Sequence, residues 1–362
     1  MTFDRQGRWT RRMVLGAGAA LAGTSLLRAQ DRSVIAVMPG VAIPDDARKI
    51  LEAQTGIRME QVPYLSPTDS VAKLFAPGGT ARYDFMATNM YFVRAPLMGA
   101  KAGDEKIRPF DMSKIPNAAG MVELFKPEIQ SRNGNAYMVP VFWGYDSPLF
   151  RTDKIPADDP ATKSWGILFD DRFAGHTALR DDAYQALLVA ALALGHKDPP
   201  TMPVSDLREV QKFLISKKRN IRALWSKFGE AVNLMSSGEV WTMHGWMPMR
   251  AALVREGIPT LNARPKEGIL FWNHAAFIPK DTQKAELAHA ITNAMLSEEY
   301  GIALTRSSNY GPMSAKALAT FNDDEKKLFG LDVTGPDTAR FTANFPNDMN
   351  AWIEAWAGFK SA

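Results

Sequence analysis

The sequence of 362 residues contains no cysteine. This absence excludes thiol nucleophiles, cysteine-ligated zinc, iron–sulfur clusters and disulfides, because each of them needs a cysteine sulfur. The chain also lacks a phosphate-binding glycine loop and a Gly-x-Ser-x-Gly nucleophile elbow, and its five histidines show no metal-ligand spacing. We therefore expect a protein that is not an enzyme and that needs no metal ion or cofactor.

The first thirty residues differ from the rest of the chain. Arg11 and Arg12 precede fifteen uncharged residues, 13–27, which are rich in glycine and alanine. This pattern is typical of a twin-arginine export signal, and the run is shorter than the about 20 apolar residues that span a bilayer. We predict that residues 1–30 are a cleaved signal and that the mature protein lies in the periplasm. Without a cysteine at the cleavage site it cannot carry a lipid anchor.

Removal of the signal changes the charge of the protein. Residues 1–30 carry five arginines and one aspartate. Taking these from the totals of 43 basic and 39 acidic side chains leaves 38 of each, so the mature chain has a formal net charge of zero. A nucleic-acid partner favours a basic excess. We expect no such partner here.

Short apolar runs alternate with helical patterns in the first part of the chain. The pattern predicts strands at residues 34–38, 57–62 and 84–88, and helices at 45–54 and 69–75. The order of strand, helix and strand is typical of a parallel sheet flanked by helices. The sequence therefore predicts an α/β fold.

Two further apolar segments have the character of hinge strands. Residues 137–141 run into the aromatic-rich segment 142–146, and the runs 268–272 and 275–279 form a second crossing. Without its signal the chain still exceeds the size at which a single core keeps growing, so we expect two lobes. The predicted lobes comprise residues 31–140 plus 275–315, and residues 141–274 plus 316–362. A strand is predicted at 240–243, and helices at 184–194, 204–217, 231–236, 286–296 and from 348 onward.

Seven short motifs follow one another along the chain. They are Gln54-Thr55-Gly56-Ile57, Tyr83-Asp84-Phe85, Val139-Pro140-Val141-Phe142-Trp143-Gly144, Ser164-Trp165-Gly166-Ile167-Leu168-Phe169-Asp170, Asp181-Asp182-Ala183, Gly238-Glu239-Val240, and Pro265-Lys266-Glu267-Gly268 before Phe271-Trp272. In this order they resemble the spermidine/putrescine-binding group of periplasmic solute-binding proteins. The resemblance covers roughly residues 33–320.

The resemblance implies a two-lobed type II periplasmic-binding protein fold with interlobe hinge strands. Such a protein is a monomer that captures a polyamine-like or other small amine-containing solute between its lobes. The closed form then delivers the solute to the permease subunits of an ABC transporter in the inner membrane. No bond is made or broken, so the functional residues are expected to line the cleft.

Aromatic residues of the family surround the aliphatic part of the amine. The matching positions in this sequence are Tyr91, Trp246 and Trp272. Trp143 is a further candidate because of its place in the first hinge strand. Core packing is the alternative role of each of these side chains, and it stays open at this point.

The carboxylates of the site depart from the family pattern. Asp182 matches a family carboxylate, but the acid expected three residues later is Gln185, and the acid expected two residues after Trp272 is His274. Asp146, just past the first crossing, could restore one negative charge. Asp182 also suits the N-cap of a helix, and the two roles are compatible.

These substitutions suit a smaller or zwitterionic amine better than a long polyamine. His274 could hydrogen-bond a ligand carboxylate, in which case binding would depend on pH near neutrality. A role as a hydrogen-bonded lining residue is the alternative. Binding of a small amino acid, a sugar or a ferric ion on the same fold also remains an alternative function.

Overall fold

The computed structural model describes residues 32–342 and 344–362. The predicted signal peptide, residues 1–30, lies outside the described residues. Within the described part of the chain, no helix is both long enough and apolar enough to span a membrane.

Strands and helices alternate through most of the chain, in agreement with the predicted α/β class. The strands are β1 (Ser33–Val37), β2 (Arg58–Val62), β3 (Phe85–Asn89), β4 (Ile107–Arg108), β5 (Gln130–Arg132), β6 (Asn135–Arg151), β7 (Thr177–Arg180), β8 (Ile221–Trp225), β9 (Thr242–Trp246), β10 (Thr260–Asn262), β11 (Ile269–Pro279), β12 (Gly311–Pro312) and β13 (Arg340–Thr342). The helices are α1 (Asp45–Thr55), α2 (Pro67–Phe75), α3 (Gly79–Arg82), α4 (Met90–Met98), α5 (Ala183–Ala193), α6 (Val204–Ser216), α7 (Phe228–Ser236), α8 (Met247–Arg255), α9 (Ala285–Met295), α10 (Glu298–Ser308), α11 (Ala315–Thr320), α12 (Asp323–Phe329) and α13 (Met349–Ser361).

The main strands form a sheet in the order β2-β1-β3-β11-β6-β9-β7-β8. At one end, β2, β1 and β3 are parallel, and at the other end β9, β7 and β8 are parallel. The central strands β6 and β11 are antiparallel to each other and to their outer neighbours. Two parallel half-sheets are thus joined by an antiparallel pair, which we call the ribbon.

Both ribbon strands are longer than predicted. Strand β6 continues through 17 residues, so that the predicted strand 137–141 and the segment after it form one element. Strand β11 joins the two predicted runs, 268–272 and 275–279, with a register shift between His274 and Ala275. Both strands are buried along most of their length, as expected of strands that cross from one lobe to the other, and Asp146 and His274 are among the few polar residues that interrupt their apolar sequence.

Most of the predicted elements are present within one to three residues of their predicted ends. Helix α1 ends where Gly56 takes a left-handed conformation with φ 64°, as its glycine suggests. The predicted strand 240–243 is shifted by two to three residues toward the N-terminus, because β9 covers Thr242–Trp246. Helix α4 was not predicted; it contains Pro96, a residue that usually breaks helices.

The apolar side chains are divided among several buried clusters. One large cluster lies under β1, β3 and α9 in the first lobe and extends behind the ribbon. Another lies around α5 and α6 in the second lobe, where α13 packs against both helices. The predicted limits of the lobes fall inside β6, β11 and α11, and they remain a prediction.

Candidate ligand-binding site

Three parallel strands of the second lobe end at the same edge of the sheet. The last residue of β7 is Arg180, that of β8 is Trp225, and that of β9 is Trp246. In open α/β sheets, ligands bind in the crevice outside the carboxyl ends of the strands. The topology therefore brings these three side chains to the place where a ligand of this fold would lie.

The ribbon presents two faces, because successive side chains of a strand point in opposite directions. Asp146 and Trp272 share one face with His274 and Phe142, and we call it the front face. Trp143 and Phe271 lie on the opposite, back face. The front face continues toward Trp246, which pairs with Asp146 across β9 and β6.

Asp146 is the polar centre of the front face. Its side chain is 1% exposed, and its Oδ1 accepts a hydrogen bond of 3.0 Å from Trp272 Nε1. Its Oδ2 lies 3.1 Å from His244 Nε2, and His244 is fully buried. The carboxylate therefore fixes a tryptophan of one ribbon strand against a histidine of the second lobe.

Arg180 lies beside this carboxylate. Its Nη1 is 3.8 Å from Asp146 Oδ2, which is longer than a hydrogen bond. The guanidinium carbon lies 4.7 Å from the ring centre of Trp246 and 5.7 Å from that of Trp225. These distances are within the range of cation–π contacts. The site therefore contains a partly exposed cation that contacts two aromatic rings.

His274 is packed rather than solvated. Its ring stacks on Phe142 with 4.5 Å between centroids, and the residue is 9% exposed. Burial lowers the pKa of His274 to about 3, so the ring is neutral at neutral pH. This pKa contradicts the expectation that His274 titrates near neutrality. Among the described residues, its Nδ1 has no hydrogen-bond partner.

Asp182 and Gln185 lie at the start of α5, directly after Arg180. The Oδ1 of Asp182 accepts a hydrogen bond of 2.9 Å from the backbone N–H of Gln185, so Asp182 is the N-cap of this helix. The Oε1 of Gln185 is buried without a partner in the described part of the chain. The neighbouring Asp181 accepts from Trp356 Nε1 at 2.9 Å and thereby holds α13. The two adjacent aspartates thus have different surroundings.

Tyr91 follows β3 in the first lobe and is 6% exposed. Its hydroxyl donates to Glu128 at 3.0 Å and accepts from Asn273 Nδ2 at 3.2 Å. Burial, followed by the Glu128 carboxylate, raises the pKa of Tyr91 well above its ordinary range. Tyr91 is therefore hydrogen-bonded to Asn273 of β11, the residue between Trp272 and His274, and not to Asp146.

Trp143 is in different surroundings from the other predicted aromatic residues. It is 0% exposed, stacks on Phe125, and donates its Nε1 proton to the carbonyl of Pro312 at 2.9 Å. Gly311 lies so close that a Cβ there would meet the Trp143 ring at 2.0 Å. This environment is that of a core residue, which was the open alternative for Trp143.

Sequence reasoning missed Arg180 and His244. A signal for Arg180 was present, since it follows a short apolar run, Thr177-Ala178-Leu179, two residues before the N-cap of a predicted helix. Such a residue stands at the carboxyl end of a strand. No local signal marked His244, because its partner Asp146 is 98 positions away. Among the described residues, no group of three or more histidine or acidic side chains is placed to hold a metal ion.

Three known proteins illustrate what the chain is similar to. Spermidine/putrescine-binding periplasmic protein 1 of Haemophilus influenzae is 26% identical over 295 residues, which cover 81% of this chain and 76% of that protein. The spermidine/putrescine-binding periplasmic protein of Escherichia coli K12 is 24% identical over 307 residues, 84% of each chain.

The third is a solved structure, the spermidine/putrescine ABC transporter substrate-binding protein PotD of Streptococcus pneumoniae. It has a TM-score of 0.74 at 20% identity and covers 91% of this chain and 99% of its own. This likeness confirms the predicted two-lobed fold of the periplasmic-binding proteins.

The family is established by a match to a family model. A family model described as bacterial extracellular solute-binding protein matches residues 88–331, which is more than half of the chain. Together with the relatives above, this match confirms the resemblance that the sequence motifs indicated. The chain belongs to the family of bacterial extracellular solute-binding proteins.

Proposed function

We propose that this protein captures a small amine-containing solute between its lobes and delivers it to the permease of an ABC transporter. The observation that carries the proposal is the front face of the ribbon. There Asp146 holds Trp272 by a hydrogen bond of 3.0 Å, next to Trp246 at the end of β9. Tryptophan faces beside a carboxylate suit an amine, because cation–π contacts contribute about 0.5–2 kcal/mol each.

The proposed ligand-binding residues are Trp246, Trp272, Asp146, Asp182, Gln185, His274 and Tyr91. Asp182 uses one carboxylate oxygen to cap α5, which leaves its other oxygen for a ligand ammonium. Trp143 is not included, because its ring is fully buried and its N–H is bonded to Pro312. The proposal contains no catalytic step and requires no cofactor.

The relatives support the amine class and the transporter. Two of them are named as spermidine/putrescine-binding periplasmic proteins, and the solved one as an ABC transporter substrate-binding protein. With these relatives, the Arg11-Arg12 pair supports export to the periplasm by the twin-arginine route, where we propose that the protein acts as a monomer. A fusion of residues 1–30 to a reporter should be exported, and Arg11→Lys with Arg12→Lys should retain it in the cytoplasm. Export of both fusions to the same level would exclude that route.

Ligand binding can be tested by thermal unfolding of the mature chain from Asp31. The panel contains polyamines, basic and neutral amino acids, 4-aminobutyrate, sugars and ferric citrate. A ligand at a hundred times its dissociation constant stabilises the folded state by about 2.7 kcal/mol, which raises the melting temperature measurably. We expect a shift with at least one amine. A shift with sugars or ferric citrate alone, or with no compound, would refute the proposal.

A pair of variants locates the binding site. Trp272→Phe removes the N–H that Asp146 accepts and is expected to abolish most of the thermal shift. Trp241→Phe is the matched control, because Trp241 precedes β9 at the opposite end of that strand and stacks on His176. An equal loss of the shift in both variants would place the ligand elsewhere.

A further inference from the structure

The guanidinium of Arg180 is the starting point. Among the residues that the structure describes, the acidic group nearest to it is Asp146, at 3.8 Å. An arginine carries five N–H donors in a planar fork that matches a carboxylate. Arg180 therefore lies in the candidate site with unused capacity to donate hydrogen bonds.

Asp146 is not free to accept hydrogen bonds from Arg180. Its two oxygens are already engaged by Trp272 and His244, at 3.0 and 3.1 Å. Both bonds are buried, since Asp146 is 1% exposed and His244 is fully buried. Moving the carboxylate toward Arg180 would leave a buried donor without a partner, which is unfavourable.

The aromatic faces near Arg180 are also occupied. Its guanidinium lies over the ring of Trp246 at 4.7 Å and near that of Trp225 at 5.7 Å. A ligand ammonium at the same ring face would lie next to a positive charge, which is repulsive. The second ammonium of a diamine would therefore be disfavoured beside Arg180 and Trp246.

We infer that the ligand carries a carboxylate in addition to its amine, and that Arg180 binds this carboxylate. The inference rests on the proposed function, because it specifies which class of small amine fits the same site. The guanidinium lies over the ring of Trp246, and Asp146 is the one acidic group of the described residues within 4 Å of it, so its fork can make a bidentate bond to the ligand carboxylate. The amine end is left to the groups that the proposed function assigns to it, the Trp272 ring with its Asp146 partner and the second oxygen of Asp182. The substrate class is a small amino acid rather than a diamine.

Calorimetric titration of the mature chain with matched ligands tests this inference. Putrescine and 4-aminobutyrate have the same number of carbons and differ in one terminal group, and glutarate is a carboxylate without an amine. We expect 4-aminobutyrate to bind about 10- to 100-fold more tightly than putrescine, the range that a charged hydrogen bond supplies. Tighter binding of putrescine would overturn the inference while leaving the proposed function intact. Binding of glutarate but no amine would refute the proposed function and retain the role of Arg180.

Three variants assign the effect to Arg180. Arg180→Gln is expected to weaken 4-aminobutyrate about 10- to 100-fold and to leave putrescine unchanged or tighter. Arg180→Lys keeps the charge without the fork and should restore only part of the affinity. Arg222→Gln is the control, because Arg222 pairs with Glu239 on the surface of the same lobe. Unchanged carboxylate binding in both Arg180 variants, or absence of binding by any of the three ligands, would refute the inference.

Discussion

On the back face of the ribbon, Trp143 packs against Phe125 and Phe271, and its N–H donates a hydrogen bond to a backbone carbonyl. On the front face, Trp272 is only partly buried, and its N–H is bonded to the carboxylate of Asp146. The two tryptophans are near neighbours on paired strands, yet one stabilises the core and the other stands at the candidate site. The difference is therefore one of strand face and hydrogen-bond partner, not of residue type.

The largest expected effect separates these two roles directly. Trp143→Ala should lower the free energy of unfolding by about 3–5 kcal/mol, because it leaves a cavity in a fully buried cluster. Trp272→Ala should lower it by less than half as much, since the ring is partly exposed, but should weaken ligand binding at least about tenfold. Urea unfolding and calorimetric titration measure both quantities. A larger loss of stability in Trp272→Ala than in Trp143→Ala, with weaker ligand binding only in Trp143→Ala, would contradict the distinction between the two faces.

A smaller effect concerns the pH dependence of the free energy of unfolding, to which His274 on the front face contributes. The folded-state pKa of His274, about 3, is below the ordinary value of 6.5, so the unfolded chain binds a proton first as the pH falls. The stability from neutral His274 is complete above about pH 6.5 and is lost as the pH falls toward 3. Between pH 7.5 and pH 5 we expect a loss of about 2 kcal/mol.

Urea unfolding at the two pH values checks this loss. The variant His274→Gln should lack this part of the pH dependence, whereas His196→Gln, in the loop after α5, should retain it. An equal slope in the wild type and in His274→Gln would show that His274 is solvated in the folded protein. Trp272, which lies 5.5 Å from the His274 ring, would then also be more exposed than the structure has it.

The smallest effect tests the contact between the lobes. Phe92, in α4 of the first lobe, meets Tyr184 of the second lobe edge to face at 5.8 Å, and Phe345 at 6.1 Å. Such pairs contribute about 0.5–1.5 kcal/mol, so Phe92→Ala should weaken ligand binding about 2- to 10-fold by destabilising the closed form. Phe228→Ala, an exposed position at the start of α7, is the control. Unchanged affinity in Phe92→Ala would mean that this contact does not hold the lobes together.

Local patterns were sufficient for most elements of the fold. Alternating apolar runs marked β1, β2 and β3, and Gly56 marked the end of α1, because strand propensity and helix termination depend on neighbouring residues. Helix α4 was not predicted, because Pro96 usually breaks a helix. Tertiary packing stabilises this helix in spite of its proline. The length of the chain predicted two lobes, and the family motifs added the type of fold with its hinge strands.

The candidate site was only partly predictable for a physical reason. The sequence by itself identified the tryptophans, Asp146, Asp182 and the loss of two family acids, because residue type and order are enough for that. Only the tertiary structure decided which face each side chain takes and which partner it meets. The bond from Trp272 to Asp146 spans 126 positions, and the contact between Arg180 and Trp246 joins two separate strands. Hydrogen bonds and burial at such separations arise from chain folding, and no local sequence pattern contains them.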